Sequence, residues 1–208
     1  RGVRAKCSAT ALIRSKPIRT ESGEVQFTET MLSGICIFNL AYLYAQSGGD
    51  MSVSLDIVPD MSFGELCGYL REMKRMRRSA PLGEWLTGLP RRELAVYAVK
   101  NSLFRPISDE CGSVSESDVR RTAGMLKDMS FPITGAAPWQ NAQATYGGIH
   151  ASCIGEDMQS RLHRGLYFCG ETVDTVGDCG GYNLRWAWAS GLAAGGCAAE
   201  SLGKEAGR

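Results

Sequence analysis

The sequence predicts an α+β fold, in which a small antiparallel sheet and a cluster of short helices precede a strand, a loop and a long helix. Apolar and polar residues alternate strictly over residues 3–9, which predicts a strand with one buried face. Ser62 and Glu65 match a capping box ahead of apolar residues at helical spacing. An apolar run at 165–170 predicts a strand, and a glycine-rich loop separates it from a helix over about 183–202.

The β part is predicted as an antiparallel meander. Turn-prone stretches at 14–17 and 21–24 separate the first strand from the alternating residues Val25 and Phe27. The same alternation returns at 53–57. The segment between them, which begins at Leu32, fits a helix ending near Gln46 or a strand about equally well.

A helical part follows from residue 62. We expect about four short helices: one over 63–77, one after each of Pro81 and Pro90, and one over 119–129 capped by Ser115 and Asp118. A further strand is predicted over 131–137.

We place a domain boundary near residue 140. The first domain, 1–140, has a β part at about 1–60 and 130–138 and a helical part at about 62–129. The second domain is 141–208, and no internal repeat appears in either.

Composition excludes several classes of protein. The 208 residues carry 23 basic and 22 acidic side chains, so the net charge of +1 gives no overall attraction to nucleic acid or to an anionic membrane. Eight cysteines without a Cys-x-x-Cys pair, and only two histidines, predict neither a zinc site nor a disulfide framework. Most of the cysteines are expected to be small buried side chains in a reducing compartment, the cytoplasm. The longest apolar segment is too short for a membrane span.

One run is strongly basic. It contains Arg71, Lys74, Arg75, Arg77 and Arg78, several of which share a helical face. We expect a solvated face here; the alternative is binding of an anion, and nucleic acid is the least favoured ligand because no aromatic residues interleave with the charges.

The loop after the strand at 165–170 carries the clearest chemical signal. A strand that ends at Gly170 and is followed by Glu171 places a carboxylate where ligands of open α/β sheets bind. Gly180 and Gly181 permit close approach of a flat ligand, and the helix from about Asn183 directs its positive end toward that position. The alternative is an acidic turn that only caps the helix.

Three stretches together resemble a known family. The stretch GLYFCGETVDTVGDCGGYNLRWAWASGLAAG (165–195) resembles the C-terminal flavin-binding signature of the bacterial NAD(P)/FAD-dependent oxidoreductases of the aminoacetone oxidase type. The stretches GEVQFTETMLSGICIFNL (23–40) and AQATYGGI (142–149) resemble two other segments of that family in the same order. Glu29 stands where the family has His and Arg185 where it has Gln.

The resemblance implies a domain inserted into an α/β, Rossmann-like FAD-binding domain, whose closing segment is 141–208. It also implies which residues contact the cofactor FAD: the isoalloxazine ring lies near 147–149, Glu171 faces the ribityl chain, and 180–184 hold the pyrimidine edge. The full set is Gly147, Gly148, Ile149, Gly170, Glu171, Asp174, Gly180, Gly181, Tyr182, Asn183 and Leu184.

The family's dinucleotide-binding turn, Gly-x-Gly-x-x-Gly, is absent from this sequence. We therefore expect the chain to be the C-terminal part of a longer enzyme, inactive by itself, whose N-terminal dinucleotide-binding half is its partner. The implied function is hydride transfer between NAD(P)H and a small organic substrate, either reduction of a conjugated C=C bond or oxidation of an amine. The alternative is a non-enzymatic module on a flavoprotein scaffold.

Several roles stay open at this point. Tyr182 and Asn183 either contact the ligand or only cap the helix, and ligand contact is favoured. Cys169 is expected to pack in the strand rather than form a redox pair with Cys179. His150 is a weak candidate for proton transfer, and no catalytic residue is assigned.

Overall fold

The structure is a computed structural model that describes residues 2–206. It divides into two compact units, Arg1–Ala136 and Ala137–Arg208.

The first unit contains a five-stranded antiparallel sheet. Its strands are β1 (Val3–Ile13), β2 (Lys16–Phe27), β3 (Leu32–Ser33), β4 (Met51–Asp56) and β5 (Met129–Ile133), in the spatial order β3-β2-β1-β4-β5. Because side chains alternate between the faces of a strand, one face of β1 buries Cys7, Ala9 and Ala11 while Ser8 and Thr10 lie on the other. The predicted antiparallel sheet is confirmed, but it is not a simple meander, because β4 lies beside β1 and not beside β3.

Helices cover the buried face of the sheet, and further helices form the helical part. They are α1 (Ile35–Gln46), α2 (Phe63–Met76), α3 (Arg92–Leu103) and α4 (Glu116–Lys127), with two short 3₁₀ turns at Leu82–Glu84 and Cys111–Ser113. The segment that fitted helix or strand equally is therefore α1. The structure confirms both predicted capping boxes: Ser62 Oγ accepts from the amide of Glu65, and Ser115 Oγ accepts from the amide of Asp118.

One prediction in this unit is wrong, and another is correct only in part. The turn predicted at 21–24 lies inside β2, because Gly23 pairs with Cys7 in an uninterrupted part of the β1–β2 ladder. The strand predicted over 131–137 ends at Ile133, which pairs with Met51, the first residue of β4. Beyond that point β4 offers no further backbone partner.

The second unit is mostly loop, followed by one long helix, α5 (Tyr182–Ala206). Single bridges between extended residues hold the loops together: Ile149 with Val173, Ile154 with Ser160, and Gln159 with Tyr167. The strand predicted over 165–170 is wrong. Apart from the bridge at Tyr167, these residues have no strand beside them among the described residues, so no ladder forms.

None of the helices in residues 2–206 is both long and apolar enough to cross a membrane.

Candidate functional site

Two of the predicted ligand-binding segments lie side by side. The amide of Ile149 donates to the carbonyl of Thr172 at 2.8 Å, and the amide of Asp174 donates to the carbonyl of Ile149 at 2.9 Å. These two bonds form a short parallel bridge between segments that are more than 20 residues apart in the chain. The turn at 147–149 and the acidic segment at 170–174 are therefore parts of one local structure.

The glycines of the turn are needed for conformation and for space. Gly147 and Gly148 have φ angles of 104° and 135°, which a side chain strongly disfavours. A Cβ on Gly148 would lie 2.7 Å from the carbonyl oxygen of Thr172, whereas a Cβ on Gly147 would meet no atom within 4 Å. Gly148 thus permits the bridge, and Gly147 leaves open space beside it.

Asp174 stabilises the same turn. Its Oδ1 accepts a hydrogen bond from the amide of Gly147 at 3.1 Å. Asp174 therefore positions the glycine turn. Its place in the sequence motif suggested contact with the ligand and gave no sign of this structural role.

Gly170 is anchored to α5 by two residues that sequence reasoning missed. Its amide donates to Ser190 Oγ at 2.9 Å, and its carbonyl accepts from Trp186 Nε1 at 3.0 Å. Ser190 is only 2% exposed and also donates to the carbonyl of Trp186. The sequence did carry a signal for these contacts. Trp186 and Ser190 lie four residues apart in an Ala-rich helix, and both side chains bear polar groups that need hydrogen-bond partners.

Asn183 closes the loop that precedes α5. Its Oδ1 accepts from the amide of Gly177 at 2.7 Å, and its Nδ2 donates to the carbonyl of the same residue at 3.0 Å. Asn183 therefore has a structural role in this loop, and its contact with a ligand stays a prediction. The same loop ends in Gly180 and Gly181, with φ angles of 132° and 90°.

Three predicted residues are exposed beside this framework: Glu171, Tyr182 and Leu184. Glu171 lies in a single 3₁₀ turn, Gly170–Thr172, and its carboxylate forms no hydrogen bond or ion pair within residues 2–206. Tyr182 and Leu184 lie in the first turn of α5, whose amide end carries partial positive charge. The arrangement combines an available carboxylate, open glycine backbone and a helix amino terminus.

The remaining predictions for this unit have mixed outcomes. Cys169 is exposed, so the packing role expected for it is wrong because the strand that would have buried it is absent. The Nδ1 of His150 lies 2.8 Å from Ser152 Oγ and accepts from the Ser152 amide, so it caps a short 3₁₀ turn. No group of three or more His, Cys, Asp or Glu side chains within residues 2–206 could hold a metal ion.

Comparisons with known proteins cover most of the chain. Residues 14–197 match the family described as the HI0933-like protein Rossmann domain. A 3-dehydro-bile acid delta(4,6)-reductase from Clostridium scindens is 32% identical over 206 residues, which is 96% of this chain and 49% of that protein.

Two ribosomal RNA dihydrouridine synthases are also similar. The protein from Haemophilus influenzae is 26% identical over 82% of this chain and 41% of its own length, and that from Escherichia coli is 28% identical over 80% and 40%. This chain thus spans about half the length, or less, of these relatives. The family match extends from β2 through the helical part to the candidate site, and the chain belongs to the HI0933-like Rossmann-domain family.

Proposed function

We propose that this chain forms the ring-binding side of a FAD-dependent oxidoreductase, which transfers hydride from NAD(P)H to a small organic substrate. The observation that carries the proposal is the bridge between Ile149 and Val173, which joins the glycine turn to the acidic segment. The matched family and its reductase relative support flavin chemistry for the whole protein.

The residues present fit a flavin. Gly147 and Gly181 both adopt φ angles that favour glycine, and a Cβ on either would enter open space, so a flat ring could approach their backbone closely. Gly148 and Ile149 would lie along the same edge of the ring. When bound, FAD would supply the hydride chemistry.

The chain's own groups would orient the cofactor. Glu171 would accept hydrogen bonds from the ribityl hydroxyls, because its carboxylate forms no hydrogen bond or ion pair with the described residues. The first turn of α5, with Tyr182 and Leu184, would lie at the pyrimidine edge, where its partial positive charge favours an electron-rich ring. The hydrogen bonds of Gly170 to Ser190 and of Asp174 to Gly147 would hold Glu171 and the glycine turn in position.

Conjugate reduction is the reaction we favour over amine oxidation. The names of the relatives describe saturation of a carbon–carbon double bond: a delta(4,6)-reductase in one case and formation of dihydrouridine in the other. In uridine and in a 3-oxo-delta(4,6) compound this bond is conjugated to a carbonyl. We therefore propose a small conjugated carbonyl compound as the substrate class.

We propose a small molecule rather than RNA, because two of the five cations of the basic run, Arg71 and Arg75, are held in ion pairs. Arg71 pairs with Glu116, and Arg75 pairs with Glu72 at 2.6 Å. These exposed pairs fit the solvated face predicted from the sequence. Phosphate binding needs cations that are available to the ligand.

The partner we propose is the dinucleotide-binding half of the same protein. Within α5, Trp188 and Leu192 are 74% and 80% exposed, and a Cβ on Gly191 or Gly195 would meet nothing within 4 Å. A helix face of this kind is suited to close packing on a sheet. A cytoplasmic location belongs to the same proposal, because all eight cysteines are free thiols.

The test is a visible spectrum of the full gene product, followed by anaerobic titration with NADH or NADPH and then with a conjugated enone. The proposal predicts a flavin spectrum that bleaches with the nicotinamide and returns with the enone. Stable absence of flavin after refolding with excess FAD would instead indicate a non-enzymatic module. Return of the spectrum with an imine but not with an enone would favour amine chemistry.

A further inference from the structure

His150 follows the glycine turn directly, and its ring is held in one orientation. The Nδ1 atom accepts a hydrogen bond from the backbone amide of Ser152 at 3.3 Å and lies 2.8 Å from Ser152 Oγ. These two contacts fix one edge of the imidazole beside the short 3₁₀ turn Ala151–Cys153. The other edge, at Nε2, forms no hydrogen bond or ion pair within residues 2–206, and the side chain is exposed.

The Ser152 amide determines which ring nitrogen of His150 carries the hydrogen. A backbone N–H can only donate, so Nδ1 has to present its lone pair to it. A neutral imidazole has one bare nitrogen and one N–H, and this contact therefore assigns the hydrogen to Nε2. The Ser152 hydroxyl can donate to the same lone pair, which is consistent with the assignment. His150 thus presents a hydrogen-bond donor, Nε2–H, at its open edge.

The alternation of side chains places this donor beside the glycine turn. Ile149 and Val173 are partners in the parallel bridge, and Val173 is buried. Paired residues share a face and successive residues of an extended segment alternate, so His150 and Asp174 lie together on the opposite face. On that face the Asp174 carboxylate holds the amide of Gly147. His150 is therefore next to the surface that we propose for the flavin ring.

A neutral N–H at this position suits the carbonyl end of a conjugated substrate. In the reduction, the substrate gains a hydride at its β-carbon while the reduced cofactor is oxidised. The electron pair of the C=C bond moves toward the carbonyl group, and negative charge develops on the carbonyl oxygen. A positioned N–H stabilises that charge. Water then supplies the proton to the α-carbon, and Nε2 keeps its hydrogen throughout.

We propose that His150 is a catalytic residue, which donates a hydrogen bond from Nε2 to the carbonyl oxygen of the substrate. The inference rests on the proposed function and adds to it the group that stabilises the developing charge. A histidine that only caps the 3₁₀ turn would affect stability and leave the reduction of substrate unchanged.

The first test is the tautomer of His150, which does not depend on the flavin. In the full gene product labelled with ¹⁵N-histidine, the signals lost in His150→Gln and in His163→Gln assign the two rings. At about pH 8.5, where a free imidazole is neutral, long-range ¹H–¹⁵N spectra should show a bare Nδ1 and a protonated Nε2 in His150. His163, whose ring has no hydrogen bond in the part of the chain described, should show the averaged shifts of two exchanging tautomers. A protonated Nδ1 in His150 overturns the proposal.

The second test is stopped-flow kinetics of the FAD-loaded full gene product. The bound FAD is first reduced with NADH or NADPH and then reoxidised with 2-cyclohexenone. His150→Leu should slow the reoxidation by roughly 10²–10³-fold, the effect of removing one donor to a developing oxyanion. His150→Gln keeps an N–H donor and should recover most of the rate. Neither variant should change FAD affinity or the rate of reduction by the nicotinamide.

His163→Leu is the matched control and should behave as the wild type in every step. Equal reoxidation rates in His150→Leu and the wild type overturn this inference and leave the flavin function intact. A loss of rate in His150→Leu that His150→Gln does not recover, together with a lower melting temperature in both, assigns His150 to the turn and overturns it as well. A wild-type protein that binds no FAD, or whose reduced FAD the enone does not reoxidise, contradicts the proposed function itself and this inference with it.

Discussion

The amide of Ile149 donates a hydrogen bond to the carbonyl of Thr172 at 2.8 Å. This bond joins two segments that the sequence presents as separate motifs. It positions an open glycine turn next to Glu171 and thereby defines the surface that we propose for the flavin.

The two glycines of the turn should respond differently to alanine. Gly147→Ala should cost about 1 kcal/mol from backbone strain alone. Gly148→Ala should cost more, because its Cβ would also lie 2.7 Å from the Thr172 carbonyl oxygen and break the bridge. Chemical denaturation of both variants measures the difference. Equal losses of stability would contradict the close approach at Gly148.

Ser190→Ala should loosen the anchor of Gly170. The substitution leaves the Gly170 amide without its partner, and we expect a loss of about 1–2 kcal/mol. Ser201→Ala in the same helix is the control, since the Ser201 hydroxyl forms no hydrogen bond in the part of the chain described. Hydrogen exchange at Gly170 should accelerate in the first variant only; unchanged exchange there would rule out the anchoring role.

Substitutions at Glu171 and at Asp174 should have different effects on FAD binding and on stability. Glu171→Gln should leave the melting temperature unchanged and weaken FAD binding by the full gene product, since its carboxylate has no partner among the described residues. Asp174→Ala should lower both, because it removes the carboxylate that accepts from the Gly147 amide. Melting curves with and without FAD, together with FAD titration, measure both effects. Equal FAD affinity in Glu171→Gln and the wild type would remove Glu171 from the binding surface.

Asp118 should make the helical part sensitive to acid. Burial by itself would raise the pKa of Asp118, but hydrogen bonds from Ser115 and Arg121 outweigh it and hold the pKa below its ordinary value. Because the folded pKa is lowered, the stabilisation is present above about pH 4 and is lost as the pH falls through the folded pKa. Asp118→Asn should therefore cost roughly 1–3 kcal/mol at pH 7 and less at pH 3.

The measurement is urea unfolding at several pH values. The exposed Asp50→Asn serves as the control and should show no such trend. A destabilisation by Asp118→Asn that is the same at pH 3 and pH 7 would show that the charge of Asp118 is not what stabilises the cap.

The cysteines should differ sharply in reactivity. Burial, with smaller contributions from Cys36 and Asp56, raises the pKa of Cys7 to about 12. The thiol form then stabilises the fold below about pH 8.5, and this contribution is lost as the pH rises toward 12. At pH 8 a maleimide pulse should label the exposed Cys153 and Cys169 quickly and Cys7 only after unfolding. Mass spectrometry locates the labels, and rapid native labelling of Cys7 would contradict its burial.

Local patterns predicted the first unit well. The alternation in β1, the Ser62 and Ser115 capping boxes and the helix α2 all depend on neighbouring residues, so the sequence carries their signal directly. The turn predicted at 21–24 failed because Gly23 is also suited to a strand, here opposite Cys7, where a Cβ in its place would lie 3.4 Å from the Cβ of Cys36.

The candidate site was less accessible to such reasoning. The motifs identified which segments matter, but hydrogen bonds between distant residues decide how they are arranged: Asp174 with Gly147, Ser190 with Gly170, and Asn183 with Gly177. Periodicity carries no information about such contacts. The strand predicted at 165–170 failed for a related reason, since a strand needs a neighbour that an apolar run cannot supply.

Hydrogen–deuterium exchange of the full gene product, with and without FAD, tests the central claim most directly. The account predicts that FAD slows exchange in peptides covering 147–149, 170–174 and 180–184 together. FAD binding that leaves exchange in all three segments unchanged would contradict the assignment of this surface to the flavin.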